Sequence, residues 1–169
     1  MSVEVTDVES FKTVVAQAYS EPMLDVESAV ELWKVLLSDK HVGARCLGQA
    51  LRGLDDIQVR DYVLVAAVTG SVDVALGTFD DVLNGTCAQS LNVASVERAM
   101  CVLRACDNYL DVVSVPLHGA LAYLAWWSGD SGTAELETEL ALNTDATYSL
   151  ALLVRHALIV GLPSPVAGN

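Results

Sequence analysis

A chain of 169 residues holds one ordinary domain, and 53% hydrophobic content with a mean hydropathy of +0.42 excludes a disordered polymer. Its 22 acidic residues against 9 basic ones give a net charge of −13 and a pI of about 4.3. That balance excludes direct nucleic-acid binding through a phosphate-neutralising groove, and adhesion to anionic membranes. Glu4, Asp7 and Glu9 stand where a signal peptide would carry basic residues, so a cytoplasmic protein is expected. The first clear helical period is Val26, Ala29, Val30, Trp33, Leu36 and Leu37, with Asp25 placed to cap it and Glu27 in its first turn. Ile57, Tyr62, Leu64, Val65 and Val68 follow Asp55 or Asp56 as cap; β-branched residues cluster at Tyr62–Val68, yet the pattern favours a buried helix. Val72, Ala75, Leu76, Phe79, Val82 and Leu83 repeat the period behind Ser71, and Val93, Val96, Met100, Leu103 and Leu110 repeat it behind Asn92. Gly53, Gly70, Gly85, Gly129 and Gly161 each close an apolar run, where a left-handed C′ residue is expected.

The fold predicted from these signals is all-α, with about nine helices packed as antiparallel hairpins through links of about 2–6 residues. The longer polar link Asn84–Asn92 divides the chain into helical halves 1–84 and 92–162, neither large enough to stand comfortably alone, so 1–169 reads as one domain with a frayed tail at 163–169. The most apolar stretches, Val112–Trp127 and Leu150–Leu162, are broken by Ser114, Pro116 and His118 and by Arg155 and His156. Both fall short of the ~20 apolar residues of a spanning helix, so no membrane partner is expected.

One stretch is recognisable. Pro116-Leu117-His118-Gly119-Ala120-Leu121-Ala122-Tyr123-Leu124-Ala125-Trp126-Trp127-Ser128-Gly129-Asp130 is followed by Ala134, Ala141-Leu142, Asp145, Tyr148, Leu150-Ala151-Leu152-Leu153 and Gly161-Leu162-Pro163. This succession resembles the C-terminal region of the actinobacterial domain of unknown function 4192 family: a Leu/Ala-rich helix ending in Ala-Trp, then Gly-Asp, an Ala-Leu helix, Asp-x-x-Tyr, and a Leu-rich helix closing in Gly-Leu-Pro. Leu54-Asp55-Asp56-Ile57-Gln58-Val59-Arg60-Asp61 is similar to the family's Val-Arg-Asp helix start. The family's N-terminal half has no counterpart, and its Ala-Leu-Asp-Arg-Ala-Leu run is acidic here, at Glu135, Glu137 and Glu139. The resemblance implies a stand-alone helical region and brings no catalytic residue with it. Leu121-Ala122, Ala134 and Ala141 also fit the small-residue slots of a tetratricopeptide-like hairpin turned by Gly129-Asp130, in the C-terminal third; the large signature slots hold His118, Ala125, Thr138 and Ala146 instead.

Chemistry-bearing residues are few. His118, between Pro116 and Gly119 at a helix start, is a candidate general base or a packed histidine. His41 and His156 have no carboxylate or cysteine at metal-ligand spacing. Cys46, Cys101 and Cys106 sit among apolar neighbours and read as buried thiols, Cys87 lies in a polar loop, and no CxxC pair occurs. Asp55, Asp56 and Asp61 could meet a cation, although helix capping explains the first two; Asp80-Asp81 reads as a solvated face. There is no glycine-rich phosphate loop, no G-x-S-x-G and no H-E-x-x-H, so no catalytic, cofactor-binding or metal-ligating residue is assigned and no cofactor is expected. Trp33 fits its helix's buried stripe, whereas the adjacent Trp126 and Trp127 differ by about 100° around the axis. One is expected in the core and the other at a boundary or interface. With Glu135, Glu137 and Glu139 on a solvated or basic-partner-docking face, these five residues form the candidate interaction surface. The function expected is an acidic protein–protein interaction or self-association module. The alternatives are a small-ligand binder or enzyme with an inter-helix pocket, and an acidic decoy that imitates nucleic acid.

Overall fold

The computed structural model describes residues 8–38, 40–70 and 92–164, and every regular element among them is a helix. In chain order these are α1 (Val8–Tyr19), α2 (Val26–Leu37), α3 (Ala44–Gly53), α4 (Ile57–Thr69), α5 (Val93–Asp107), α6 (Val115–Ser128), α7 (Ser131–Thr144) and α8 (Ser149–Ile159). The all-α reading stands. Its count of about nine includes a helix over Val72–Leu83, which lies outside the described residues, as do Asp80-Asp81, Gly85, Cys87 and the link up to Leu91.

The starts are set locally by short side chains that accept otherwise unbonded first-turn amides. Asp25 accepts from Ser28 N at 2.9 Å, Asp56 from Gln58 N at 2.8 Å, Asn92 from Ser95 N at 3.0 Å and Asp130 from Thr133 N at 3.0 Å. Of the glycines expected to end helices, Gly70, Gly129 and Gly161 do adopt the left-handed region, at φ 68°, 81° and 64°. Gly53 does not: it is the last residue of α3, and Leu54 caps that helix in the right-handed region. Its role is steric, because a Cβ there would lie 3.0 Å from the Ala29 Cβ of α2. Gly48 is needed still more strongly. A Cβ at that position would lie 2.3 Å from the Val15 carbonyl, so only glycine lets α3 lie this close to α1.

Two helices lie inside the others. α4 is buried at every position from Val59 to Val68, and α6 from Leu117 to Trp127. α6 packs on α4, α5, α7 and α8, with α7 its most extensive partner, while α4 also meets α2 and α5. A single apolar cluster runs from Val15 to Ala157 through both central helices, so the elements before and after residues 71–91 share one core. Trp33 fills the early part of it and donates its indole N–H to the Ala50 carbonyl at 2.8 Å. No helix among the described residues is long and apolar enough to cross a membrane.

Two expectations need correction here, those for the cysteines and for the tryptophan pair. Cys106 is buried, and burial with Asp107 beside it pushes its thiol up to about 12, but Cys46 is only half-buried and Cys101 is exposed. Cys101 follows the buried Met100 on α5 and so turns away from the core. Of the tail expected over 163–169, residues 165–169 lie outside the described residues; at 164 the serine hydroxyl donates to the Trp127 carbonyl. Trp126 and Trp127 do not divide into one core and one boundary residue. They are 8% and 2% exposed, because four helices surround α6 and leave both sides of it apolar.

Candidate functional site

The first polar cluster joins α5, α6 and α7. Pro116 occupies the first turn of α6, where its missing N–H costs nothing, and two residues on His118 points into the protein with 5% exposure. Its Nδ1 lies 2.7 Å from Oε2 of Glu137, and its Nε2 lies 3.5 Å from Oδ1 of Asp107. Burial works against the imidazolium. The hydrogen bond to Glu137 and the charges of Asp107 and Glu137 outweigh it, and the His118 pKa is raised above its ordinary 6.5. Glu137 is therefore no part of an outer face. It is 8% exposed because it shares the buried stripe of α7 with Ala134, Thr138 and Ala141, at the i, i+3, i+4 and i+7 positions.

The second cluster joins α4, α6 and α8. Arg60 Nε donates to Asp61 Oδ1 at 2.7 Å, and Arg60 Nη1 donates to the Tyr148 hydroxyl at 3.0 Å. Burial pushes the Asp61 carboxyl up and Arg60 offsets this only in part, while the guanidinium keeps its charge. Tyr148 is brought into place by a turn. Asp145 Oδ1 accepts both the Thr147 amide at 2.9 Å and its hydroxyl at 2.7 Å, which sets Tyr148 at the cap of α8. The ring then lies across Gly119, where a Cβ would come within 2.4 Å of Tyr148 Cε1. Arg60 and Tyr148, 88 residues apart in the chain, thus meet in one part-buried joint. Tyr123 lies on the same helix as Gly119, stacked obliquely on Trp126 and Trp127 at 5.9 and 6.3 Å, and burial raises its hydroxyl pKa.

Open concavities lie elsewhere. A groove of about 650 Å³ runs along α5, past Val96, Met100 and Arg104 to Asp130, and another of about 530 Å³ lies between Phe11, Leu47 and Tyr109. A third, of about 500 Å³, separates α7 from α8. Its α7 wall is Glu135, Thr138, Glu139, Leu142 and Asn143, one stripe at i, i+3, i+4, i+7 and i+8, and its α8 wall is Arg155, Leu158 and Ile159. None of these three is lined by His118, Glu137, Arg60 or Asp61.

Of the five residues of the sequence-derived surface, the structure leaves Glu135 and Glu139 exposed, together on the α7–α8 groove, and withdraws Trp126, Trp127 and Glu137 from the surface. Sequence reading missed Arg155 and Thr138 as their neighbours, and missed the partners of His118 and Arg60. The Glu137 error was avoidable, since its place in the alanine stripe of α7 is visible in the spacing. Among the described residues, Glu135, Glu139 and Arg155 have no ion-pair partner, and His41 and His156 are exposed. Among the same residues no three His, Cys, Asp or Glu side chains are arranged to hold a metal ion. Comparison of the chain with protein-family models, with curated proteins and with solved structures finds no match.

Proposed function

We propose that this chain is an acidic helical protein-interaction module, similar to the helical region that residues 116–163 resemble, with α6 and α7 as a tetratricopeptide-like hairpin and the outer side of α7 and α8 as its working face. One observation carries the reading: the two buried ionic clusters are closed on themselves inside the core, whereas Glu135, Glu139 and Arg155 line a groove and have no ion-pair partner among the described residues. An enzyme or small-ligand site would place a buried polar cluster on the wall of a cavity. Here both buried clusters lie away from the three grooves. Fully buried Ala122, Ala134 and Ala141 support the hairpin, because small side chains let paired helices approach.

The test is affinity capture from the native host with the intact chain and with its Glu135→Gln/Glu139→Gln variant as parallel baits, alongside sedimentation equilibrium of the chain alone. A defined partner retained by the first bait and depleted on the second is expected, as is weakening of that retention when salt rises past a Debye length of about 8 Å. Identical retention on both baits, with a monomer in the centrifuge, would overturn the reading.

A further inference from the structure

We propose that His118 is a proton-operated clasp: while its ring carries both protons it holds the C-terminal end of α5 to α6, and loss of one lets Asp107 go while Glu137 stays. A neutral imidazole has one N–H and one lone pair, so it donates to a single carboxylate; only the imidazolium donates from both nitrogens. Here a buried ring has a carboxylate at each nitrogen, Glu137 of α7 on Nδ1 at 2.7 Å and Asp107 of α5 on Nε2 at 3.5 Å. The two carboxylates respond differently when the second proton leaves. Glu137 is buried in the α7 stripe with no solvent to turn to, so the remaining proton stays on Nδ1. Asp107 is the last residue of α5, and its side chain is 40% exposed with no other partner among the described residues. It can exchange the ring for water. Just beyond it the chain is held by α1 instead: Tyr109 packs obliquely on Phe11 at 5.1 Å, and Asp111 pairs with Lys12 at 2.7 Å. Release therefore parts the end of α5 from α6 and leaves it on α1, with slack in the link, where Val112 and Val113 are already exposed. The other helices packed on α6 bring no further charge to the ring. Arg60 and Asp61 of α4 close on each other and on Tyr148, while Arg155 and His156 of α8 are exposed. The raised His118 pKa sets the release above pH 6.5.

The experiment follows the intact chain through a pH titration with two readouts. Nitrogen shifts of isotope-labelled histidine report which ring atom holds a proton, the His118 signals being those lost in His118→Gln. Amide hydrogen exchange, corrected for its own base catalysis, reports opening at Tyr109 and Leu110, whose amides bond back to the Cys106 and Asp107 carbonyls. As pH rises, Nε2 should lose its proton while Nδ1 keeps one, and exchange at Tyr109 and Leu110 should rise over the same range while that of α2 and α3 does not. Because linkage is reciprocal, each pH unit by which Asp107→Asn lowers the His118 midpoint should match about a tenfold rise in opening at the end of α5 as the proton leaves. In Asp107→Asn itself that rise should vanish. Glu27→Gln, which removes an exposed carboxylate from α2, should leave both the midpoint and the rise as they are in the unaltered chain. Exchange that rises by one factor in every helix would be general loss of stability and would overturn the clasp. So would loss of the Nδ1 proton in place of the Nε2 proton, or an Asp107→Asn chain whose His118 midpoint does not move.

Discussion

At the start of α6, one imidazole holds carboxylates from two other helices, and the helix carrying it has Arg60, Asp61 and Tyr148 packed against its other side. Because the His118 pKa is raised in the folded chain, the folded state holds that proton more tightly than the unfolded state does. The resulting stability is complete below pH 6.5, the ordinary value, and is lost as pH rises through the folded-state value. Urea midpoints measured from about pH 6 upward should therefore fall across that window, and His118→Gln should flatten the dependence. A midpoint indifferent to pH in the unaltered chain would contradict the geometry of the doubly flanked ring. Gly119, one residue on, makes a second prediction. Glycine to alanine inside a helix ordinarily gains about 0.5–1 kcal/mol. Here the added methyl meets the Tyr148 ring, so Gly119→Ala should instead cost about 1–3 kcal/mol and loosen the Tyr148–Arg60 bond. Calorimetric or urea unfolding gives the sign directly.

The elements were largely legible before the fold was seen, because a helix announces itself within a window of about a dozen residues. Asp25, Asp56, Asn92 and Asp130 mark the starts, and glycines at 70, 129 and 161 mark the ends. What surrounds a helix is another matter. The reading of Trp126 and Trp127 assumed one narrow apolar stripe, the correct assumption for a surface helix such as α2, where Trp33 is buried and Glu31 exposed. α6 is apolar all round, and such a helix carries no periodicity to say which side meets which neighbour; the uniform character was itself the sign of a buried element. The pairs His118–Glu137 and Arg60–Tyr148 were hidden for the same reason, since tertiary packing of uniformly apolar helices decides both. For the hairpin the testable residue is Ala134, fully buried on α7 where that helix lies along α6. Ala134→Leu should overpack the contact and cost about 1–3 kcal/mol, read as a lowered urea midpoint. An unchanged midpoint would mean that the helix pair has room that close packing denies it.

Across the whole molecule, Arg60 and Asp61 do more than satisfy each other, because the third member of their cluster, Tyr148, comes from the opposite end of the chain. Arg60→Met alone strands a buried carboxylate and should cost about 3–5 kcal/mol, whereas Arg60→Met/Asp61→Leu, which removes both charges, should recover most of that loss. A double variant as unstable as the single one would show that the Tyr148 bond, not the ion pair, carries the stability. The tryptophans offer a further consequence. All three indoles, at 33, 126 and 127, are shut away from water, and they fall on opposite sides of residues 71–91. An indole that water cannot relax emits at short wavelength, so the folded chain should fluoresce blue and resist quenching by iodide. A chain with only Trp33 and a chain with only Trp126 and Trp127 would then report on opposite sides of the shared core. Coincident red shifts from the two, under rising urea, are what a single cooperative unit gives. A guest seated in the α7–α8 groove touches none of the three, so the protein's own light will follow its unfolding and remain blind to its company.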